Sequence, residues 1–205
     1  MSKIGVLALQ GAFSEHIQKF RSLGVDAVEV RLPAHLDGVD GLVIPGGEST
    51  TIGKLIDRFD LRAPIVEMAR QGKPLWGTCA GMILMGTDVD ADTRGSAQPL
   101  LGLMDLTTRR NAFGRQIDSF ETEINMPAVS ATPLPAVFIR APVVSSIGDG
   151  VEVLAQLPDG RIVAVRQGNR VATSFHPELT SVTAFHAWFS GLVLQGLASA
   201  PATLK

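Results

Sequence analysis

The sequence predicts a three-layer α/β fold: a mostly parallel sheet flanked by helices and extended by antiparallel strands. Three observations carry that prediction. Through the first half, short apolar runs alternate with helical patterns over short connections, which is the signature of parallel strands covered by helices. In the second half, strand candidates follow one another with turn residues between them. A last amphipathic pattern closes the chain. The 205 residues read as a single domain, 1–205, since one domain spans roughly 50–250 residues.

Taken in order, Lys3–Leu9 is a buried strand. Glu15–Leu23 is a helix that places Ile17, Phe20 and Leu23 near one face, with Ser14 as its N-cap. Gly24 ends that helix and Asp26–Arg31 is a second strand. Gly41–Ile44 is a third, followed by the turn Pro45-Gly46-Gly47. Thr51–Phe59 and Pro64–Arg70 are helices, with Pro64 in a first turn that tolerates it. Pro74–Gly77 is a fourth strand and Ala80–Met85 begins another helix. From Thr87 to Pro99 the chain is polar and rich in Asp, Gly and Ala, which predicts a loop. The later strands are Met104–Thr108, Ser119–Ile124, Val137–Ile139, Val151–Leu157, Ile162–Gln167 and Val171–Phe175. Pro158-Asp159-Gly160-Arg161 predicts a hairpin, because Asp-Gly accepts the positive φ of a tight turn. Val182–Leu197 is the closing helix.

Composition narrows the function. Lys and Arg number 18 against 20 Asp and Glu, for a net charge of −2. That balance argues against a protein that coats nucleic acid or an anionic membrane. At 45% hydrophobic and 19% charged, the chain has the material for a packed core and not the balance of a disordered one. No run approaches the roughly 18 apolar residues that span a bilayer. The start of the chain reads as a strand and not a signal peptide, since Gln10 and Gly11 interrupt its apolar run. The expectation is a cytoplasmic protein. One cysteine makes no internal disulfide, and the scattered histidines form no metal cluster. Neither a metal nor another cofactor is expected. Arg109, Arg110 and Arg115 form the densest basic group, for which substrate and interface roles suit the charge balance better than nucleic acid.

The lone cysteine sits in Gly77-Thr78-Cys79-Ala80-Gly81, between a strand and a helix. This is a G-x-C-x-G pattern, the cysteine counterpart of the nucleophile elbow. A nucleophile on so sharp a turn needs small residues two positions either side, because the backbones crowd there. The turn also sets the sulfur near a helix N-terminus, whose partial charge favours an anion, and aims the amide of Ala80 where an oxyanion would form. The alternative is a small buried core residue.

A thiolate needs a base that returns the proton to the leaving group. Of His16, His35, His176 and His186, only His176 follows a strand and opens His176-Pro177-Glu178. Pro177 limits the backbone and Glu178 supplies a carboxylate that can hold the imidazole in one tautomer. His186 lies in the last helix and reads as a partly exposed residue; His35 lies in a loop without an orienting partner. A third element, Gly41-Leu-Val-Ile-Pro-Gly-Gly47-Glu-Ser-Thr-Thr51, puts a glycine turn between strand and helix, where backbone N–H groups can meet an oxyanion. It is not a phosphate-binding P-loop: Leu55 follows Gly53-Lys54, and Glu48 stands where the first loop glycine belongs.

Together these segments resemble the class I, triad-type glutamine amidotransferases. Six blocks are similar, more narrowly, to the glutaminase subunits of pyridoxal 5'-phosphate synthase: Gly5–Ala12, Pro45–Thr51, Gly77–Met82, Arg110–Gln116, Phe138–Pro142 and Ser174–Thr180. They run from the first strand nearly to the last helix. The resemblance implies hydrolysis of L-glutamine to glutamate and ammonia, and transfer of the ammonia to a separate (β/α)₈-barrel synthase subunit. By motif, Cys79 is the nucleophile, His176 the acid and base, and Glu178 its orienting carboxylate. Gly46, Gly47, Glu48 and Ser49 match the glutamine-binding loop, and Arg110, Ile139 and Arg140 the remaining glutamine contacts; Ala80 supplies an oxyanion N–H. Gln10, Gly11 and Arg140 are candidates for transmitting partner binding, against the alternatives of a strand-end turn and a surface salt bridge. Two other functions fit the elbow: a different cysteine hydrolase or chaperone-like α/β protein, and an inactive regulatory subunit.

Overall fold

A computed structural model describes residues 2–90, 98–110, 112 and 119–199. The first half runs β1 (Lys3–Leu7), α1 (Phe13–Ser22), β2 (Asp26–Val30), β3 (Gly41–Ile44), α2 (Ser49–Arg58), α3 (Arg62–Arg70), β4 (Leu75–Thr78) and α4 (Ala80–Met85). The second half runs β5 (Gly86–Val89), β6 (Met104–Arg109), β7 (Ser119–Ile124), β8 (Leu134–Ile139), β9 (Val143–Ile147), β10 (Glu152–Gln156), β11 (Ile162–Gln167), β12 (Arg170–Thr173) and α5 (Ala184–Ser199). Short 3₁₀ turns cover Pro33–Leu36 and Pro177–Leu179.

The main sheet has the order β2-β1-β3-β4-β12-β11-β9-β6-β5, with β10 added beside β11. From β2 to β12 all pairings are parallel, and β9, β10 and β11 pair antiparallel. The parallel half reads as continuous apolar runs because helices cover both of its faces. In β3, Leu42 and Ile44 pack with α2, α3 and α4, while Val43 packs with α1 and α5. That alternation makes three layers. β7 and β8 form a separate ribbon, in which Phe120 and Phe138 stack at 4.6 Å.

Several expectations are corrected by local physics. α1 follows Ala12 with no side-chain cap, because the Ser14 hydroxyl turns to the Glu15 carboxylate at 2.7 Å. Leu23 lies beyond that helix and is exposed. α2 begins at Ser49, not Thr51, since Glu48 caps it. The region after Thr87 is not all loop: β5 pairs with β6 at the sheet edge, where a strand can show Thr87 and Asp88 to solvent. β9 is an additional strand, and its exposed Ser145 and Ser146 hide the apolar pattern. The hairpin at 158–161 forms as expected, with Gly160 at φ +85°. Most of the expected loop (91–97) and, apart from Arg110 and Ala112, the Arg110–Gln116 block, including Arg115, lie outside the described residues. Among the described residues, no helix is long and apolar enough to cross a membrane.

Candidate active site

β4 ends at Thr78 and α4 starts at Ala80, which leaves Cys79 on the turn between them at φ +49°, ψ −103°. A residue with a side chain rarely holds such a backbone unless its surroundings enforce it. Here the Cys79 N–H donates to the Thr173 carbonyl of β12 at 2.7 Å. The flanking glycines are steric requirements. A Cβ on Gly81 would lie 2.0 Å from the Ile44 carbonyl oxygen, and one on Gly77 would lie 2.5 Å from the backbone of Gly81. Cys79 is buried in the main, and its sulfur reaches the floor of a cavity of about 620 Å³.

His176 leaves β12 over the same cavity, its N–H donating to the Val137 carbonyl at 2.8 Å. The turn at Pro177–Leu179 folds Glu178 back beneath the ring, so that Nδ1 meets Glu178 Oε1 at 2.7 Å. The Cys79 side chain interacts with the same ring. Burial opposes charging this imidazole, but the bonds to Cys79 and Glu178 outweigh it and push its pKa up to about 10. Burial likewise opposes the Glu178 carboxylate, yet His16 and His176 beside it hold its pKa below the ordinary range. The elbow and the His-Pro-Glu segment, far apart in sequence, thus meet at one site.

The glycine turn forms the opposite wall. The Gly46 carbonyl accepts from the Ala12 N–H at 3.1 Å, and in a trans peptide the Gly47 N–H then points away from Ala12. A Cβ on Gly46 would lie 2.4 Å from His176 Cε1, and one on Gly47 would lie 2.5 Å from Gln10 Oε1. Gln10 Oε1 accepts from the Glu48 N–H at 2.8 Å, so Gln10 and Gly11 grip this turn directly. Gly11 has φ +100°, and a Cβ there would sit 1.8 Å from the Gly46 oxygen.

At the cavity rim, Glu48 accepts from the N–H groups of Thr50 (3.1 Å) and Thr51 (2.7 Å) and from the Thr51 hydroxyl (2.6 Å). Burial pushes its pKa up more than any single bond pulls it down, but the bonds together outweigh burial and lower it to about 2. Arg110 reaches across to Glu48 at 3.4 Å and to Gln98 at 3.1 Å; Ser49 donates to Gln98 at 3.0 Å. The Ile139 carbonyl lies 3.9 Å from the Cys79 sulfur. Arg140 is exposed at φ +45° and has no ion-pair partner among the described residues.

Every predicted site residue except Gln10 and Glu178 lines this cavity; Gln10 supports its wall, and Glu178 is buried behind His176. The surroundings add residues that sequence reasoning missed: Ile83, Pro142 and Leu179 along the cavity, and Gln98 behind Arg110. The reading of His186 is also corrected. It is fully buried, against His16. The signal was its place beside Phe185 and Phe189 on the apolar face of α5, as His16 sits between Phe13 and Phe20 on that of α1. Among the described residues, no group of three or more His, Cys, Asp or Glu is placed to hold a metal ion.

The chain matches the model of the SNO glutamine amidotransferase family over residues 6–194. It is 59% identical to the pyridoxal 5'-phosphate synthase subunit PdxT of Herpetosiphon aurantiacus, covering 92% of this chain and 99% of that protein. To the protein of the same name from Moorella thermoacetica it is 52% identical, covering 93% of this chain and 99% of the other. Among solved structures, one described as a glutamine amidotransferase superposes with a TM-score of 0.86 at 44% identity, over 93% of this chain and 98% of that one. PurLQS from Thermotoga maritima superposes at 0.67 with 16% identity, covering 96% and 97%, a likeness of fold alone.

Proposed function

The chain belongs to the SNO glutamine amidotransferase family, and on that premise we propose that Cys79, His176 and Glu178 hydrolyse L-glutamine to L-glutamate and ammonia for a pyridoxal 5'-phosphate synthase. The single observation that carries this reading is the joined unit of Cys79, His176 and Glu178 at the floor of an open cavity. The Cys79 sulfur attacks the side-chain carboxamide carbon while its proton rests on His176. The tetrahedral oxyanion lies toward the amides of Ala80 and Gly47. His176 then gives the proton to the departing nitrogen, which leaves as ammonia, and a thioester remains. Water deprotonated by His176 attacks the thioester and releases glutamate. Glu178 keeps the proton-bearing Nδ1 of His176 turned away from the reacting atoms throughout.

Arg110, Glu48 and Ser49 offer a cation, an anion and a hydroxyl at the rim, which suits the carboxylate and ammonium of free glutamine. Ile139 and Arg140 complete that wall. Residues 1–205 act as one glutaminase domain in the cytoplasm. The partner is a barrel-shaped synthase subunit that consumes the ammonia, and Gln10, Gly11 and Arg140 pass its docking to the glycine turn.

The test is co-purification with the synthase subunit, followed by assays of glutamate release and of pyridoxal 5'-phosphate formation. Both should depend on Cys79. If free ammonia supports cofactor formation and glutamine does not, the pathway assignment fails. A glutamine analogue that alkylates Cys79 in one-to-one stoichiometry separates an enzyme from an inactive regulatory subunit.

A further inference from the structure

Behind the triad lies a second pair of imidazoles that the mechanism above leaves unused. His16, from α1, and His186, from α5, are both fully buried, and they meet through His16 Nδ1 and His186 Nε2 at 3.0 Å. The other nitrogen of His16, Nε2, lies 3.3 Å from the Thr78 hydroxyl and 3.4 Å from Glu178 Oε2. That carboxylate oxygen is buried and, among the described residues, has no hydrogen-bond partner; nor has His186 Nδ1. The edge of Trp76 closes the group, with ring centroids 5.1 Å from His16 and 5.0 Å from His186.

From this arrangement we infer that His16 is a positioning residue for glutamine hydrolysis, a neutral imidazole whose Nε2–H faces Glu178 Oε2 and fixes the carboxylate that orients His176. The inference rests on the triad reading. Two proton arrangements are open to neutral rings, and their costs differ. If the His16 proton is on Nε2, it lies between the Thr78 hydroxyl, which can accept, and a carboxylate, which only accepts. Nδ1 then accepts from the His186 Nε2–H, and the atom left over is the His186 Nδ1 lone pair. In the opposite arrangement a lone pair of His16 faces the carboxylate, and the leftover atom is a buried N–H. Orphaned buried N–H groups are rarer and costlier than orphaned acceptors. The first arrangement is therefore the resting one. It makes a one-way series of donors, from His186 to His16 to Glu178, with His176 donating to Glu178 from the other side. At 3.4 Å the contact is loose, as such bonds often are before substrate binds.

The experiment uses the chain in complex with its synthase subunit and reads kcat and KM for glutamine. His16→Leu should lower kcat by about 10–100-fold, the usual cost of removing a residue that orients a functional group, with KM within roughly twofold. His16→Gln, which returns an N–H near the Nε2 position, should recover most of that loss. In a Glu178→Gln background, His16→Leu should add less than about threefold, because its role acts through Glu178. Histidine ¹⁵N NMR on the unsubstituted protein should find the His16 proton on Nε2, a readout that stands even if His16→Leu fails to fold. A proton on Nδ1, a full additive cost in the Glu178→Gln background, or a Gln variant as poor as Leu would each overturn the inference. A Cys79→Ala variant that still releases glutamate would overturn the triad reading and this one with it; additivity alongside an inactive Cys79→Ala overturns the role of His16 alone.

Discussion

On its cavity side the proposed triad faces backbone, and on its far side it faces side chains. Toward the cavity, Cys79 sits at a positive φ, and its neighbours are the Gly46-Gly47 peptide, Gly81 and the Ile139 carbonyl. Toward the core, Glu178 meets His16, and behind that ring come His186, Trp76 and the phenylalanines of α1 and α5. The cavity wall is held by close approaches that only glycine permits. The back is held by buried rings whose polar atoms must find one another. Strain and backbone placement can therefore change by a small loop movement, whereas the back can change only by repacking a core.

The largest expected effect breaks the front at its centre. Cys79→Ala keeps the Cβ and the turn but removes the nucleophile, so glutamate release should fall by roughly 10⁴-fold or more with little change in unfolding midpoint. Residual turnover near the original rate would show that the sulfur takes no part.

Gly11→Ala probes the same wall from a distance. Its Cβ would lie 1.8 Å from the Gly46 oxygen, at a φ of +100° that alanine resists. The Gly46 carbonyl must move, and the Gly47 amide moves with it. Loss of one oxyanion donor predicts a fall in kcat of about 10²–10³-fold, with a stability cost of only about 1–3 kcal/mol. If stability fell while kcat held, the turn would be structural and not an oxyanion wall.

The back should show itself in stability against pH. Burial, helped by the neighbouring His16 and Lys19, pushes the His186 pKa from 6.5 to about 2. Below pH 6.5 the unfolded chain binds a proton that the folded protein refuses. Stability should therefore decline as pH falls from 6.5 toward 2, by up to about 1.4 kcal/mol per pH unit for this residue. His16, lowered first by burial, acts in the same direction. His176 has the opposite sign: its pKa is raised to about 10, so its contribution is complete below pH 6.5 and is lost as pH rises through 10. Urea unfolding at pH 7 and pH 5 tests this, with His186→Phe expected to flatten the acid side. An equally steep loss in that variant would remove His186 as the cause.

The same division explains how much the sequence disclosed. The front was legible because its demands are local: Gly77 and Gly81 flank Cys79 at fixed spacing, and Pro177 and Glu178 follow His176 directly. The parallel strands were legible too, since β3 and β4 are apolar runs bounded by Gly and Pro. The back was not, because His16 and His186 are 170 positions apart and each looks like an ordinary residue on an amphipathic helix. Only packing α1 against α5 makes them a pair. The edges failed for a related reason. β5 and β9 expose Thr87, Asp88, Ser145 and Ser146, and an edge strand that shows polar side chains carries no apolar pattern to read.

Glu48 gives the smallest stability effect and the finest test of the front. Its carboxylate caps α2 through Thr50 and Thr51, and these bonds hold its pKa near 2 against an ordinary 4.5. A lowered pKa contributes stability above pH 4.5 that is lost as pH falls toward 2. The side chain is half exposed, so solvent screens most of that shift, and the contribution is under about 1 kcal/mol. Glu48→Gln keeps an oxygen for the cap and removes the charge beside Arg110. Its unfolding midpoint should move by less than about 1 kcal/mol at pH 7, while KM for glutamine should rise more than kcat falls, because the charge serves binding and not bond breaking. A fall in kcat at unchanged KM would instead place Glu48 with the glycine turn, as a support for the oxyanion wall.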